Sequence, residues 1–514
     1  MKLFVLLNLM FGVVYCEKIL AFFFFPAVSH QNALKPIAKE LSLRGHEVTL
    51  VTPNPDYNSS LSNLTEIDVS VGYEPFQFYD LTKLNRDSVY LIDLVLMGHH
   101  LYEDIVIRQL KAKGVKELLQ KPADSFDLIL IEGNTPAYFG LQHIFNAPLI
   151  TLSSYGTGTY YHHVFGNPIH PVLYPDIFAQ LSGPISNLLD KIDSLYVTLT
   201  YHLMAEYYMF PRMDKLVRPY FGLDMPYIGD MVRNASMMML NVNPIISERR
   251  PLSANVIHYY KLHTPKIEEL PKDLQEILDH SKNGVVYFSL GTNVRFQFLG
   301  GNIKEIILEA LGELPYTVLC KWESEYQENK PKNVILRKWF PQESVLAHPN
   351  MKVFVTQGGL QSIQETIPNG IPMLVIPFLG EQPMNAKILA DRGIAEVIMP
   401  KFLKKEILRD TILKLANEER YRLKAQQLRD VYMDQPQSDM DKVIWWCEYV
   451  IRHRGAKHLR SPSADISLYE YFMIDIFICI LVAICVIYKG FSLLLIIAFR
   501  ILGQTSSEVK LKRQ

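Results

Sequence analysis

One segment of the chain, FVTQGGLQSIQETIPNGIPMLVIPFLGEQ (residues 354–382), carries the residue types and spacing best suited to chemistry. It predicts a short apolar strand, a Gly-Gly turn, a helix, and a second apolar strand that ends in Glu381 and Gln382. Backbone N–H groups and the helix dipole at such a sheet edge favour the phosphates of a nucleotide. Glu365, two turns into the helix, and the Glu381-Gln382 pair can then hydrogen-bond to sugar hydroxyls.

The same segment resembles, nearly position by position, the signature of the UDP-glycosyltransferase family. The matching positions are Thr356, Gly358, Gly359, Ser362, Glu365, Pro372, Pro377, Glu381 and Gln382. The alternative is a βαβ unit of another doubly wound domain. The resemblance covers nearly all of the chain and implies an α/β GT-B fold, in which two doubly wound Rossmann-like domains face a cleft.

The resemblance also implies a general base and a residue that orients it. His30, in the SHQN element of the loop after the first strand, occupies the base position, and the pKa of imidazole suits that role. An aspartate orients this histidine in the family, and FDLILIE places Glu132 at the equivalent point. The alternatives are a surface-loop histidine and a strand-end surface carboxylate.

The same resemblance implies which residues bind the UDP-sugar. Trp339 can stack on uracil, and Gln342 and Glu365 can hydrogen-bond the ribose. Thr292 and Ser362, on strand-end and helix-start turns, can donate to phosphate oxygens.

The diphosphate site departs from the usual pattern at two positions. Gln357 stands where most members carry a histidine, and Gln361 replaces the common asparagine. An amide can donate a hydrogen bond but carries no positive charge. Because TQGGLQS looks like the insect and insect-virus branch, we interpret both residues as variants of that lineage.

Neither a cofactor nor a metal is expected. The family inverts the anomeric carbon by direct displacement without a divalent ion. The UDP-sugar is a co-substrate. Lysine and arginine number 52 against 53 acidic residues, so nothing favours nucleic acid as a partner.

Both ends of the chain indicate a membrane protein of the secretory pathway. Residues 1–16 predict a signal peptide, and residues 474–499 predict one transmembrane helix followed by a basic cytosolic tail, residues 500–514. Lys510 and Lys512 have the KxKxx spacing of an endoplasmic reticulum retrieval signal; the alternative is a merely basic flank. We therefore expect a type I protein of the endoplasmic reticulum membrane, with its catalytic domains in the lumen.

Glycosylation sequons and the cysteines bear on the predicted lumenal location. Asn58, Asn63 and Asn234 lie in N-x-S/T sequons and predict N-glycosylation. Cys320 and Cys447 are the two lumenal cysteines left after the signal and the span, so at most one disulfide is expected and none is favoured.

The domain boundaries follow from changes in the strand-helix rhythm. Residues 17–245 predict an acceptor-binding domain and residues 246–425 a UDP-sugar domain, with an irregular linker around 241–271. Residues 426–473 predict a return helix onto the first domain and a juxtamembrane segment. Residues 160–227 lack strands and favour either an apolar acceptor pocket or contact with the membrane.

The leading hypothesis is transfer of a hexose, glucose by preference, from a UDP-sugar to small lipophilic hydroxyl acceptors, for detoxification or for conjugation of hormones or pigments. UDP-glucuronate is the alternative donor. A UDP-sugar-binding membrane protein with impaired catalysis is the alternative class, which Gln357 and Glu132 would favour. Assembly into homo-oligomers stays open.

Overall fold

The computed structural model describes residues 16–57, 60–78, 90–133, 135–179, 187–247, 249–262, 269–291, 302–322, 330–378 and 380–511, with backbone alone beyond residue 501. Residues 1–461 and 462–514 form two compact units, and each is described by itself. Of the predicted signal peptide, only Cys16 is among the described residues.

Seven parallel strands form the first sheet, in the spatial order β3-β2-β1-β4-β5-β6-β7. The central strands β1, β4, β5 and β6 are almost entirely buried, as near-continuous apolar runs in parallel sheets are, whereas the edge strand β3 is partly exposed. Their bounds are β1 (Lys18–Phe22), β2 (Glu47–Thr52), β3 (Leu64–Asp68), β4 (Leu128–Glu132), β5 (Leu149–Ser153), β6 (Met237–Asn241) and β7 (Val256–Tyr259).

Six parallel strands form the second sheet, in the order β10-β9-β8-β11-β12-β13. Their bounds are β8 (Val285–Ser289), β9 (Thr317–Lys321), β10 (Val334–Arg337), β11 (Met351–Thr356), β12 (Met373–Val375) and β13 (Ala395–Val397). Each sheet places the carboxyl ends of its strands at one edge, which is where open α/β sheets bind ligands.

Helices cover the sheets. Those between the strands of the first sheet are α1 (Val28–Leu43), α2 (Leu91–Lys111), α3 (Lys113–Leu118), α4 (Leu141–Phe145), α5 (Thr159–Val164), α6 (Leu188–Met204), α7 (Phe210–Phe221) and α8 (Ile228–Arg233). Those that follow within the same unit are α9 (Lys272–His280), α10 (Ile303–Gly312), α11 (Gln342–Leu346), α12 (Leu360–Thr366), α13 (Gln382–Asp391), α14 (Lys405–Asn417), α15 (Glu419–Met433) and α16 (Asp439–Arg452).

Alternation along β1 shows how one strand supports two layers. Ile19 and Ala21 pack into the cluster that contains Leu34 of α1. Leu20 and Phe22 point to the opposite face, where the Phe22 ring stacks on Tyr138 with centroids 4.1 Å apart. The first sheet is therefore the middle layer of an α/β/α sandwich.

Helix α16 packs against the first sheet, although it follows the second in sequence. Val443, Cys447 and Val450, at helical spacing, are buried in the same cluster as Ile19 and Leu34. The helical run expected after about residue 418 is broken by residues 434–438, and the Ser438 side chain caps the new helix by accepting from Asp441 N at 3.0 Å. Cys447 and Cys320 are both buried, and they form no disulfide bond with each other.

The segment interpreted as a linker contains a strand. β7 pairs in parallel with β6, so the chain continues in the first sheet as far as Tyr259, beyond the expected boundary at residue 245. The sequence MMMLN of β6 was not predicted as a strand either. Its methionines carry no strong β preference, and burial between neighbouring elements decides its conformation.

The unit of residues 462–514 contains a short helix, α17 (Leu468–Tyr471), and a long one, α18 (Ile474–Leu511). Within the described part of the chain, Ile474–Ile501 is the one stretch long and apolar enough to cross a membrane. This agrees with the predicted span, residues 474–499.

Candidate active site

His30 and Glu132 meet at the carboxyl ends of two neighbouring strands. β1 pairs with β4 through Phe22 and Ile131, so the residues that follow each strand lie side by side. His30 Nδ1 is hydrogen-bonded to Glu132 Oε1. The other carboxylate oxygen accepts from the Phe25 backbone N–H at 3.2 Å, which fixes the carboxylate in place.

The location of His30 differs from the prediction in one respect. It lies in the first turn of α1, which begins at Val28 directly after an extended Ala27, and not in a loop. The helix thus holds the imidazole. The Glu132 side chain is fully buried, and the His30 side chain is 16% exposed. With Nδ1–H donating to the carboxylate, Nε2 carries the lone pair that can accept a proton.

Aromatic rings surround this pair. The Phe25 ring lies 4.5 Å from the His30 ring, and the Tyr155 ring lies 5.7 Å from it, centroid to centroid. Burial raises the pKa of the Tyr155 phenol well above its usual range, and the nearby Tyr102 and Glu381 raise it further. The tyrosine therefore stays neutral, and the wall around His30 is apolar in character.

The Gly-Gly turn after β11 has the geometry that the sequence predicted. Gly358 adopts a φ of 86°, a conformation that favours glycine. A Cβ on Gly358 would lie 2.7 Å from Val375 Cγ1. Gly359 is the extended residue that precedes α12, so the first N–H groups of that helix open at the carboxyl edge of the second sheet.

Gln357 points into the same edge. Its side chain is buried, and its Oε1 atom has no hydrogen-bond partner among the described residues. The amide nitrogen lies against Gly291, where an added Cβ would clash with it. A buried amide oxygen without a partner is costly, which is consistent with a site that binds a polar group.

Three of the residues predicted to bind the UDP-sugar form one hydrogen-bond network. Gln342 Nε2 donates to Ser362 Oγ at 3.0 Å and to Glu365 Oε2 at 2.5 Å. Trp339, three residues earlier, is 62% exposed, which leaves its ring accessible for stacking.

Lys321 is a residue that the sequence reasoning missed. Its side chain is buried at the carboxyl end of β9. The ammonium donates to the Gly291 carbonyl at 2.5 Å and lies 5.2 Å from the centroid of the Trp339 ring. A lysine that ends the apolar run YTVLCK was the signal that could have revealed it.

Glu381 and Gln382 start helix α13. Gln382 Oε1 accepts from the Phe378 N–H at 2.8 Å, so this amide holds the preceding loop. Burial raises the pKa of the Glu381 carboxyl, and His30 partly offsets that rise. The carboxyl group of the second sheet and the imidazole of the first are therefore within electrostatic reach of each other.

Two glutamines of α12 contact the first sheet's side of the site. The Gln361 amide donates to the Ser29 carbonyl, beside His30. Gln364 Nε2 donates to Asn241 Oδ1 at 2.8 Å. The structure therefore places the Gln361 side chain, which we predicted to bind the UDP-sugar, against the helix that carries His30.

Some predicted positions lie elsewhere. Thr292 and Asn58 are outside the described residues. Asn63 and Asn234 are exposed, as a glycan would require. The described residues hold no group of three His, Cys, Asp or Glu side chains arranged for a metal.

Comparisons with known proteins agree with this architecture. The family described as UDP-glucoronosyl and UDP-glucosyl transferase matches residues 18–506. The chain therefore belongs to this family, and it is a UDP-glycosyltransferase.

Relatives of full length occur in insects, insect viruses and mammals. The chain is 29% identical to UDP-glycosyltransferase UGT5 of Dactylopius coccus, over 99% of this chain and 98% of that protein. It is 30% identical to the ecdysteroid UDP-glucosyltransferase of Spodoptera littoralis nuclear polyhedrosis virus, over 91% and 94%. It is 27% identical to human 2-hydroxyacylsphingosine 1-beta-galactosyltransferase, over 90% and 84%.

Solved structures confirm the fold. Glycosyltransferase VinC, crystallised with dTDP, superposes with a TM-score of 0.59 at 18% identity, over 85% of this chain and 100% of that one. UDP-glucose:anthocyanidin 3-O-glucosyltransferase, crystallised with UDP, gives a TM-score of 0.57 at 16% identity, over 85% and 99%. The predicted GT-B fold is confirmed.

Proposed function

We propose that this enzyme transfers a hexose from a UDP-sugar to a hydroxyl group of small lipophilic acceptors, with inversion and without a metal ion. The observation that carries the proposal is the His30–Glu132 hydrogen bond beside the Gly-Gly turn and α12. A base held by a buried carboxylate and a set of N–H donors are the two parts that this reaction needs.

His30 Nε2 accepts the proton of the acceptor hydroxyl as its oxygen attacks the anomeric carbon. The new carbon–oxygen bond forms as the bond from that carbon to the diphosphate breaks, and UDP leaves with the electron pair. Glu132 stabilises the imidazolium through Nδ1–H, the part that a buried carboxylate plays beside a catalytic histidine. Phe25 and Tyr155 exclude water from the base and favour an apolar acceptor.

On the donor side, Trp339 stacks on uracil, and Gln342 with Glu365 holds the ribose. Glu381 and Gln382 face the hexose. The amide of Gln357, the N–H groups at the start of α12 and Ser362 bind the diphosphate. Lys321 supplies the positive charge that Gln357 lacks, since its ammonium lies between the Trp339 ring and the Gly291 carbonyl.

Glucose is the proposed hexose, because relatives of similar full length are named glucosyltransferases. The human relative is named a galactosyltransferase, so UDP-galactose joins UDP-glucuronate as an alternative donor. Helix α18 fits a membrane anchor, and we place the catalytic unit in the lumen of the endoplasmic reticulum. There it conjugates lipophilic compounds, for detoxification or for the modification of hormones or pigments.

Microsomes that carry the full chain test this function. They are incubated with UDP-glucose, UDP-galactose or UDP-glucuronate and with phenols, flavonoids and steroids, and products are identified by mass. We expect glucosides, formed only when both donor and acceptor are present. UDP-sugar binding without any conjugate would instead favour the binding-protein alternative, in which the donor site is kept and the base is not used.

A further inference from the structure

Helix α6, residues Leu188–Met204, has its polarity reversed relative to an ordinary helix of a water-soluble domain. Its solvent-facing side carries large apolar residues, each at least 43% exposed: Leu188, Leu189, Ile192, Leu195, Tyr196, Leu199 and Leu203. Its buried side carries Ser194, Val197, Thr198, Thr200 and His202. A surface helix normally places its apolar stripe inward and its polar residues outward.

The buried polar side is built into the domain, so the helix cannot simply be turned over. Ser194 Oγ donates to the Pro171 carbonyl at 2.5 Å. His202 Nδ1 donates to the Thr198 carbonyl at 2.8 Å, and burial lowers the pKa of that imidazole. Tyr201 stacks on Phe178 with centroids 5.1 Å apart. The outward direction of the leucines is therefore fixed by the fold.

The apolar stripe is also wide and continuous. Adjacent pairs such as Leu188-Leu189 and Leu195-Tyr196 are both exposed, so the stripe exceeds the narrow seam of a coiled-coil partner. The next turn extends it with Tyr207, which is 79% exposed. Exposed apolar surfaces of this kind mark interaction sites, and a broad flat stripe suits a planar apolar medium.

We propose that the α6 face, defined by Ile192, Leu195, Tyr196, Leu199 and Leu203, lies in the surface layer of a lipid bilayer. The chain also carries a helix that is long and apolar enough to cross a membrane, so a lipid bilayer is the apolar surface that we expect beside this protein. Tyrosines at the edge of the face suit the interface between lipid and water. The proposal depends on this surface and not on the proposed activity.

Its location gives the α6 face a consequence for the enzyme. Tyr201, on the inner side of the same helix, influences the pKa of Tyr155, and the Tyr155 ring lies beside His30. Helix α6 therefore has the proposed bilayer contact on one side and, on the other, Tyr201, which lies within electrostatic range of the Tyr155 phenol.

Depth-dependent fluorescence quenching tests the proposal on the full chain in phosphatidylcholine vesicles. Tyr196→Trp and, one turn along, Leu199→Trp each add an indole to the α6 face. Leu423→Trp, on α15, is the matched control, because Leu423 is 48% exposed on a different helix. The emission added by each substitution is measured against the parent chain, with brominated phosphatidylcholine or with aqueous iodide.

We expect brominated lipid to remove most of the emission added at residues 196 and 199, and to leave that added at residue 423 unchanged. Iodide should show the opposite pattern. Quenching of the α6 indoles by iodide but not by brominated lipid would overturn the proposal, because the face would then be in water. Quenching by neither would overturn it too, because protein, such as a second copy, would then cover the face.

Discussion

At the scale of single residues, the account depends on how carboxylate, imidazole and ammonium groups are held. Glu132 has one methylene group more than the aspartate that the family resemblance implies at this position. The structure shows that the longer arm still meets His30 Nδ1, because the second oxygen is fixed by the Phe25 N–H. The hydrogen bond between Glu132 and His30 is an observation of the structure. The part that Glu132 plays in catalysis stays a prediction.

Glu132→Gln is expected to lower kcat, by no more than the roughly 10²–10⁴-fold that a general base contributes. The amide keeps the shape but cannot stabilise the imidazolium. In a His30→Ala background the same change should add little, because residues that act as a unit are not additive. Glu132→Asp should retain most activity. Steady-state rates of the five chains decide this, and fully additive losses would remove the pairing.

Lys321→Met is expected to lower kcat by about 10²–10³-fold, the effect of removing one donor that stabilises developing charge. The lost group is the buried ammonium beside Trp339. Lys321→Arg, which keeps the charge, is the matched control and should retain more of the rate. Measured turnover with UDP-glucose at saturating acceptor tests this, and an unchanged kcat in Lys321→Met would refute the assignment.

At the scale of helices and strands, the sequence predicted those elements whose conformation is determined by a local apolar run or by a glycine turn. The strands β1, β4, β8 and β11 and the Gly358 turn stand where their apolar runs and glycines indicated. The strands β6 and β7 were not predicted, because the conformation of their MMMLN and VIHY sequences depends on the elements that pack against them. Likewise, the contact of Gln361 with Ser29 joins residues far apart in the chain, which no local pattern reveals.

Protonation of His258, a residue of β7, is expected to affect the stability of the fold. Burial, and then the charges of Lys442 and Arg250, lower the pKa of His258 to about 4. An unfolded histidine titrates near 6.5, so between those values only the unfolded chain binds the proton. The free energy of unfolding should therefore fall as the pH drops from about 6.5 towards 4, by at most about 1.4 kcal/mol per pH unit from this group.

Denaturant unfolding of the solubilised chain at several pH values measures that slope. His258→Gln should flatten it in this window, whatever it does to the stability at neutral pH. His280→Gln, which changes an exposed histidine of α9, should leave it as in the parent. An equal slope in all three chains would show that His258 does not contribute.

At the scale of the whole molecule, a single chain combines a two-sheet catalytic unit with one helix, among the described residues, that is long and apolar enough to cross a membrane. The candidate membrane span in α18 could be predicted from the sequence, because such a span is recognised by the length of its apolar run alone. The orientation rests on the basic tail and the sequons, and it stays a prediction.

Lys510→Ser with Lys512→Ser is expected to move the protein from the endoplasmic reticulum towards the cell surface without changing its specific activity. The KxKxx spacing would be lost, while the catalytic unit is untouched. Surface labelling and glycan processing on Asn63 and Asn234 report the change. If protease added outside sealed microsomes digests the catalytic unit, the lumenal orientation is wrong.

The most direct test of the central claim is acceptor-dependent UDP release by His30→Ala. Microsomes with the parent chain, His30→Ala or the exposed-site control His280→Ala receive UDP-glucose with and without a phenolic acceptor, and UDP binding is measured alongside. The account predicts that His30→Ala loses roughly 10²–10⁴-fold in turnover while it binds UDP as the parent does. Parental turnover in His30→Ala would contradict it.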